Sequence, residues 1–337
     1  MDISKLSEIL KDQPKYRFKQ VEKALFQDFI SSWDEASSLP KFLREQLSIN
    51  CPIEIKAQLF ISGVKGGKAM IEFADGESVE TVLIRQKAKD GERNTVCISS
   101  QVGCALACTF CATGDYGFKR NLNYLEIIEQ VIFWARFLKE EGKGEKIDNI
   151  VFMGMGEPFL NYSEFIKAAK FLNDPETCNF GSRRLSVSTS GITEGIKKLA
   201  GEKMQINLAI SLHAANDALR CDLMPIAKKY KLYEILKMVD HYILKTGRRV
   251  MFEYLMIKNI NDSDKDALEL VKIMFKPLYM VNLISYNPTG RFQASSEERI
   301  SKFKKILEDN NVAVTIRHSF GSEIGAACGQ LKGKKRA

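Results

Sequence analysis

The sequence has no run of the ~18 apolar residues that a membrane-spanning helix requires. Its opening residues, MDISKLSEIL, lack the basic stretch and apolar run of a secretory signal. Low-complexity segments are absent as well. Acidic residues do not balance basic ones: 42 Asp and Glu face 50 Lys and Arg, leaving a formal charge of +8. These absences speak against a membrane or secreted protein. They place it in the cytoplasm with a polyanionic partner, nucleic acid first in line. The closing KGKKRA adds positive charge of no particular specificity. Without a secretory signal, the 8 cysteines read as reduced thiols and not as a disulfide framework.

What is present, 337 residues of which 45% are apolar, suffices for one large domain and a smaller appendage. From about residue 95 an apolar, β-branched run, a turn and a helical pattern recur. The strand-like runs are TVCISSQV, NIVFMGMG, RLSVSTSG, INLAISLH, VMFEYLMI and YMVNLISYNP. Six such repeats imply an α/β fold: a parallel sheet with crossover helices, closed fully or partly into a barrel or left open. A barrel carries its chemistry at the C-terminal ends of its strands, and there lie Cys104, Glu157, Ser188, His213 and Asn287. Residues 123–142 predict a helix opened by Asn123 and Glu126, with Leu125, Ile128, Ile132 and Ala135 on one face. Residues 232–247 predict another, with Leu232, Ile235, Leu236, Val239 and Ile243 inward and a stop at Gly247. His241 and His318 read as core histidines. Residues 1–90 differ, being helical and basic in patches, then strand–turn–strand with Gly-rich turns. They predict a small accessory domain, separated near RQKAKDGERN from a core of residues 91–337.

The densest chemical signal is CALACTFCATG, residues 104–114, which sets Cys104, Cys108 and Cys111 on one loop. Packing gives no reason for three thiols there, whereas zinc or an iron–sulfur cluster does. A closed zinc site needs four ligands, and neither His213 nor another cysteine arrives at a familiar spacing. Three thiolates on a four-iron cluster leave one iron open to a substrate.

This C-x3-C-x2-C spacing resembles that of the radical S-adenosylmethionine (SAM) superfamily. The chain as a whole, over residues 15–332, is similar to the RlmN/Cfr family of RNA adenine methyltransferases. CISSQVGCALACTFCATG, FMGMGEP, RRLSVSTSG, ISLHAAND and GAACGQL carry that likeness, in order. The resemblance implies a partial (β/α)6 radical SAM barrel with a small N-terminal helical/β accessory domain. It implies a [4Fe–4S] cluster on Cys104, Cys108 and Cys111, and SAM, two per turnover, against Gly156, Glu157, Ser188, Ser211, Leu212, His213 and Asn287. It assigns Cys328 as the residue that takes a methyl from the first SAM. The radical from the second removes a hydrogen from that methyl, and the resulting carbon adds to adenine. Glu80 is then the proton acceptor, and Cys97 the thiol that releases the RNA by attacking Cys328, forming a disulfide bond between them. The implied partners are 23S ribosomal RNA, transfer RNA and an electron donor such as flavodoxin or ferredoxin, acting on a monomer.

One branch of the family methylates C2 of adenine, the other, Cfr-type, C8. QVGC, ISLHAAND and FEYLMI resemble the C2 branch, while FCATGD occurs in both. The residues alone leave two rivals: a zinc-stabilised RNA-binding module, and a radical SAM oxidoreductase or activase acting on protein. The latter needs neither Cys97 nor Cys328.

Overall fold

Gly66 and Gly67 open one of the first strands and Gly91 another, and these strands run as an antiparallel meander before the chain turns to parallel pairing. The computed structural model describes residues 1–62, 66–88, 91–317 and 321–333. His318 and the last residues of KGKKRA lie outside them. The strands are β1 (Ala57–Ile61), β2 (Gly66–Glu72), β3 (Ser78–Ala88), β4 (Gly91–Cys97), β5 (Gln101–Gly103) and β6 (Phe118–Asn121). They continue as β7 (Asn149–Phe152), β8 (Leu185–Thr189), β9 (Asn207–Ser211), β10 (Val250–Met256), β11 (Tyr279–Ser285) and β12 (Val314–Arg317). Ten of them form one sheet in the order β1-β2-β3-β4-β7-β8-β9-β10-β11-β12. β1 to β4 pair antiparallel, and every pair from β4 to β12 is parallel. β5 and β6 form a separate hairpin.

The sheet does not close, so the barrel is partial, as expected. Two details differ from the sequence reading. A seventh parallel strand, β12, follows the six repeats. The run TVCISSQV divides after Cys97: residues beyond Ser100 leave the sheet to build the hairpin that carries the cysteine loop.

The helix Tyr124–Glu140 has the expected capping box of Asn123 and Glu126. It is buried nearly all round, however, and not on one stripe, with Glu129, Gln130 and Arg136 covered as well. The reason is non-local. The N-terminal segment packs over its outer face, where the Met1 ammonium meets Glu129 Oε1 at 2.5 Å and Arg136 Nη1 donates to Ile53 O at 2.7 Å. On the inner face Gln130 brackets Ser99, accepting its N–H at 2.7 Å and donating to its carbonyl at 2.9 Å. One apolar core therefore runs from Leu6 to Leu331. The helix Leu232–Thr246 stops at Gly247 in the left-handed region (φ 64°), as its sequence predicts. His241 on it is only half-buried, a correction to its reading as a core histidine.

Candidate active site

The C-terminal ends of the parallel strands converge on a cavity of about 220 Å³. Each parallel strand of the large sheet supplies a wall residue near or beyond its C-terminal end, so the period of the fold sets the site. Cys97, Glu157, Ser188, Ser211, His213, Leu255, Ile284 and Arg317 appear there in strand order, with Glu253 joining them from the middle of β10. Cys104, Cys108 and Cys111 line the same cavity from the loop after β5, and Cys328 lines it from the C-terminal segment.

The cysteine loop is fixed by its backbone. Cys104 N–H donates to Gly117 O (3.1 Å), Thr109 N–H to Leu223 O (3.0 Å), and Ala112 N–H to Gly329 O (2.7 Å). Ala107 takes a left-handed φ of 50°, and Gly114 lies so close that a Cβ there would stand 3.1 Å from Ala107 Cα. Burial, then mutual repulsion, holds the Cys108 thiol well above its usual range, and burial pushes Cys104 up to about 12. Three thiols crowded on one cavity wall fit an electron-poor iron–sulfur cluster, whose positive iron reverses both penalties. Among the described residues no three His, Cys, Asp or Glu side chains converge as ligands of a single ion.

Beside the loop, the glycines of GMGEP are there for close approach. Gly156 has φ 95°, and a Cβ on it would fall 2.6 Å from Gln101 Cβ. Glu157 is buried and its carboxyl is raised by that burial, partly offset by its donors. Oε2 accepts from Ser190 N–H (2.8 Å) and Oγ (2.9 Å), and Oε1 from Phe159 N–H (3.0 Å). It thus ties the end of β7 to the end of β8. Ser188 and Ser211 share a hydroxyl–hydroxyl bond of 3.2 Å. His213 sits at φ 58°, uncommon for a non-glycine. Burial, then the Arg220 guanidinium, pushes it down to about 3, so it is neutral, and Nδ1 accepts the Leu255 N–H at 3.1 Å. Leu212 and Asn287 stand behind the wall. Leu212 N–H donates to Glu253 O (3.0 Å), and Asn287 Nδ2 holds the Cys328 carbonyl (3.1 Å).

Cys97 is buried and Cys328 exposed, and all eight cysteines are free, so a standing disulfide between them finds no support and the one implied by the resemblance is confined to the release step. Glu80 does not line the cavity. Most of RQKAKDGERN is not a turn but the paired ends of β3 and β4, with Arg85 opposite Asn94, and the same pairing sets Val82 opposite Cys97, two residues from Glu80. Its carboxylate pairs with Lys68 Nζ at 2.9 Å and accepts the Lys332 N–H at 2.7 Å. Lys68 Nζ also donates to Gly325 O at 3.4 Å. The pair therefore grips the C-terminal segment on both sides of Cys328. Two charged wall residues escaped the sequence reading. Glu253 lies inside the apolar run VMFEYLMI, where a carboxylate is itself a signal. Arg317 ends the unforeseen strand β12.

The Radical SAM superfamily model matches residues 98–271. A Dictyoglomus thermophilum protein named "Probable dual-specificity RNA methyltransferase RlmN" is 42% identical over 98% of this chain and 95% of its own length. "Ribosomal RNA large subunit methyltransferase N" of Nitrosopumilus maritimus is 43% identical over 94% of this chain and 92% of its own. The crystal structure of a radical SAM methyltransferase from Sphaerobacter thermophilus superposes with a TM-score of 0.90 at 40% identity, covering 98% of this chain and 97% of that one.

Proposed function

The chain belongs to the radical SAM superfamily and, within it, to the RlmN-type dual-specificity RNA methyltransferases, and from that premise we propose that it methylates C2 of adenine in 23S ribosomal RNA and in transfer RNA, with Cys328 carrying the methyl carbon. The observation behind this reading is that Cys97 and Cys328, far apart in sequence, line one cavity together with the three clustered thiols. A radical enzyme without a sulfur relay has no use for that pairing.

Cys104, Cys108 and Cys111 hold the [4Fe–4S] cluster in this reading. When bound, the cluster supplies the single electron, drawn from a donor such as flavodoxin or ferredoxin, that cleaves SAM. Gly156, Glu157, Ser188, Ser211 and His213 form the wall for SAM, with Leu212 and Asn287 bracing it from behind. Cys328, exposed at the mouth, takes the methyl of a first SAM by displacement. Adenine C2 is electron-poor and its C–H is not usefully acidic, so it cannot itself attack a sulfonium methyl. A sulfur-bound carbon that has given one hydrogen atom to the deoxyadenosyl fragment of the second SAM adds to it instead, and the adduct would return its one unpaired electron to the bound cluster before the ring proton is lost. Glu80, whose carboxylate in the resting protein pairs with Lys68 and accepts the Lys332 N–H, accepts the ring proton. Cys97 then attacks the Cys328 sulfur. The S–S bond forms and the bond from sulfur to the RNA-borne carbon breaks. The electron pair stays on that carbon, which takes a proton to become methyl. A cellular dithiol reduces the resulting disulfide.

Residues 1–90 serve to dock the RNA. Tyr16 and Phe18 are exposed on the helix Lys15–Phe26 between Lys15, Arg17 and Lys19, and the Arg17 guanidinium lies 4.9 Å from the Tyr16 ring centre. Basic groups interleaved with exposed rings suit phosphates and unstacked bases. Reversing Lys15 and Arg17 to Glu is expected to weaken RNA binding by ~10-fold or more and flatten its salt dependence, leaving SAM cleavage intact. Unchanged affinity in a filter-binding titration would remove the docking role. For the activity itself, mass spectrometry of nucleosides from a treated RNA is expected to show 2-methyladenosine. 8-Methyladenosine would move the enzyme to the other branch.

A further inference from the structure

Arg317 stands at the end of β12, the sheet edge farthest along from β4, yet its side chain reaches across the open face of the partial barrel. Its Nη1 lies 3.9 Å from Met153 Sδ, at the end of β7. The Met153 N–H in turn donates to the Cys97 sulfur. Arg317, Cys97, Cys328 and Glu253 all line the one cavity. Three groups able to carry negative charge face the guanidinium: Cys328 from the C-terminal segment, Glu253 from β10 and Cys97 from β4. Among the described residues none of them forms an ion pair with it. Glu253 is the weakest claimant. It is buried, burial holds its carboxyl above the usual range, and Asn282 Nδ2 donates to it at 2.9 Å. A half-buried cation without a carboxylate contact, set between two thiols, stabilises whichever thiol becomes an anion.

We infer that Arg317 is the shared counter-cation of the two sulfurs, favouring the thiolate of Cys328 when it takes the methyl and that of Cys97 when it releases the RNA. This rests on the methyl-cysteine reading given above. One cation suffices because the two thiolates are needed in turn. Burial and then repulsion from Cys328 push the Cys97 thiol up to about 12, whereas Arg317 draws it down. Alkylation makes the Cys328 sulfur neutral, which cancels the repulsion and leaves the guanidinium to Cys97 alone. The order of the chemistry is thus written into the charges: Cys97 becomes a good nucleophile only after Cys328 is loaded. In the release step the proton lost from Cys97 leaves to solvent or Glu253, and the electron pair of the broken S–C bond returns to the methyl carbon.

The test uses the full chain with its cluster, target RNA, SAM and reductant, in Arg317→Met, Arg317→Lys and Cys97→Ala variants. A denaturing gel follows the protein–RNA adduct across a range of pH, and iron content and SAM cleavage are measured alongside. Arg317→Met is expected to keep iron and SAM cleavage. At neutral pH its adduct should persist ~10-fold longer than in the native protein, one pKa unit's worth of lost thiolate. The adduct should clear faster as pH rises, and Arg317→Lys, which keeps the charge, should stay within ~3-fold of native. The Cys97→Ala adduct should persist at every pH. If Arg317→Met loses iron, Arg317→Gln takes its place in the same comparison. No adduct in Cys97→Ala would overturn the methyl-cysteine reading and this inference with it. An adduct in Cys97→Ala, with Arg317→Met clearing its own at the native rate at every pH, would overturn the inference alone. If Arg317→Met forms no adduct, the mass of the Cys328 peptide decides: an unmethylated Cys328 supports the role at the first thiolate, and a methylated one overturns it.

Discussion

Alanine in place of Cys97 is expected to leave target RNA covalently joined to the protein. Cys97 ends β4 at the cavity wall, buried, with Cys328 across from it on the C-terminal segment. Nothing in the earlier steps uses its sulfur, so SAM cleavage, methylation of Cys328 and addition to adenine should proceed. Only the attack that breaks the carbon–sulfur bond is lost. Methylation over many turnovers should fall on the order of 10³-fold or more, as for other essential nucleophiles. Cys328→Ala should fail earlier, with no methyl-cysteine and no adduct, and the double variant should match it, because a late block is invisible behind an early one. On a denaturing gel a shifted, nuclease-sensitive band should therefore appear for Cys97→Ala only. Its absence there, or its presence in Cys328→Ala, would leave a radical enzyme with no sulfur relay.

Losing any one of Cys104, Cys108 and Cys111 is expected to remove iron, brown colour and SAM cleavage together. Three thiolates leave one iron open for SAM, and two cannot hold the cluster against exchange. The fold should survive, because the loop is held by backbone bonds to Gly117, Leu223 and Gly329 that do not involve sulfur. Circular dichroism and melting of the apoprotein should therefore stay close to native while the absorbance of the cluster vanishes. A triple alanine variant that still assembles a full cluster would transfer the ligand role to other residues. Retention of zinc without iron or sulfide in the native protein would favour the RNA-binding module over the enzyme.

The barrel strands were legible because each is a short β-branched run set off by turns, and because residues that do chemistry interrupt apolar patterns at their ends. Ser188, Ser211, His213 and the cysteine loop fall where that rule puts them. What the sequence hid depends on contacts distant along the chain. Gln130 and Arg136 look like the polar face of an amphipathic helix, but Ser99 on one side and the N-terminal segment on the other bury both. Glu80 reads as an exposed strand carboxylate until β2 sets Lys68 diagonally beside it on the same face of the sheet. Arg317 could not be placed without β12, a four-residue strand whose pairing with β11 is its main support.

The central claim is that the methyl carbon passes through the Cys328 sulfur and loses a hydrogen on the way. Its most direct test supplies SAM whose methyl carries three deuteriums and reads the mass of the methyladenosine released from the RNA. Passage through a sulfur-bound carbon removes one deuterium and returns a proton from water, so the product methyl should carry two deuteriums and one hydrogen, attached at C2. A product retaining all three deuteriums would mean that the methyl moved intact from SAM to the base, and it would contradict the account.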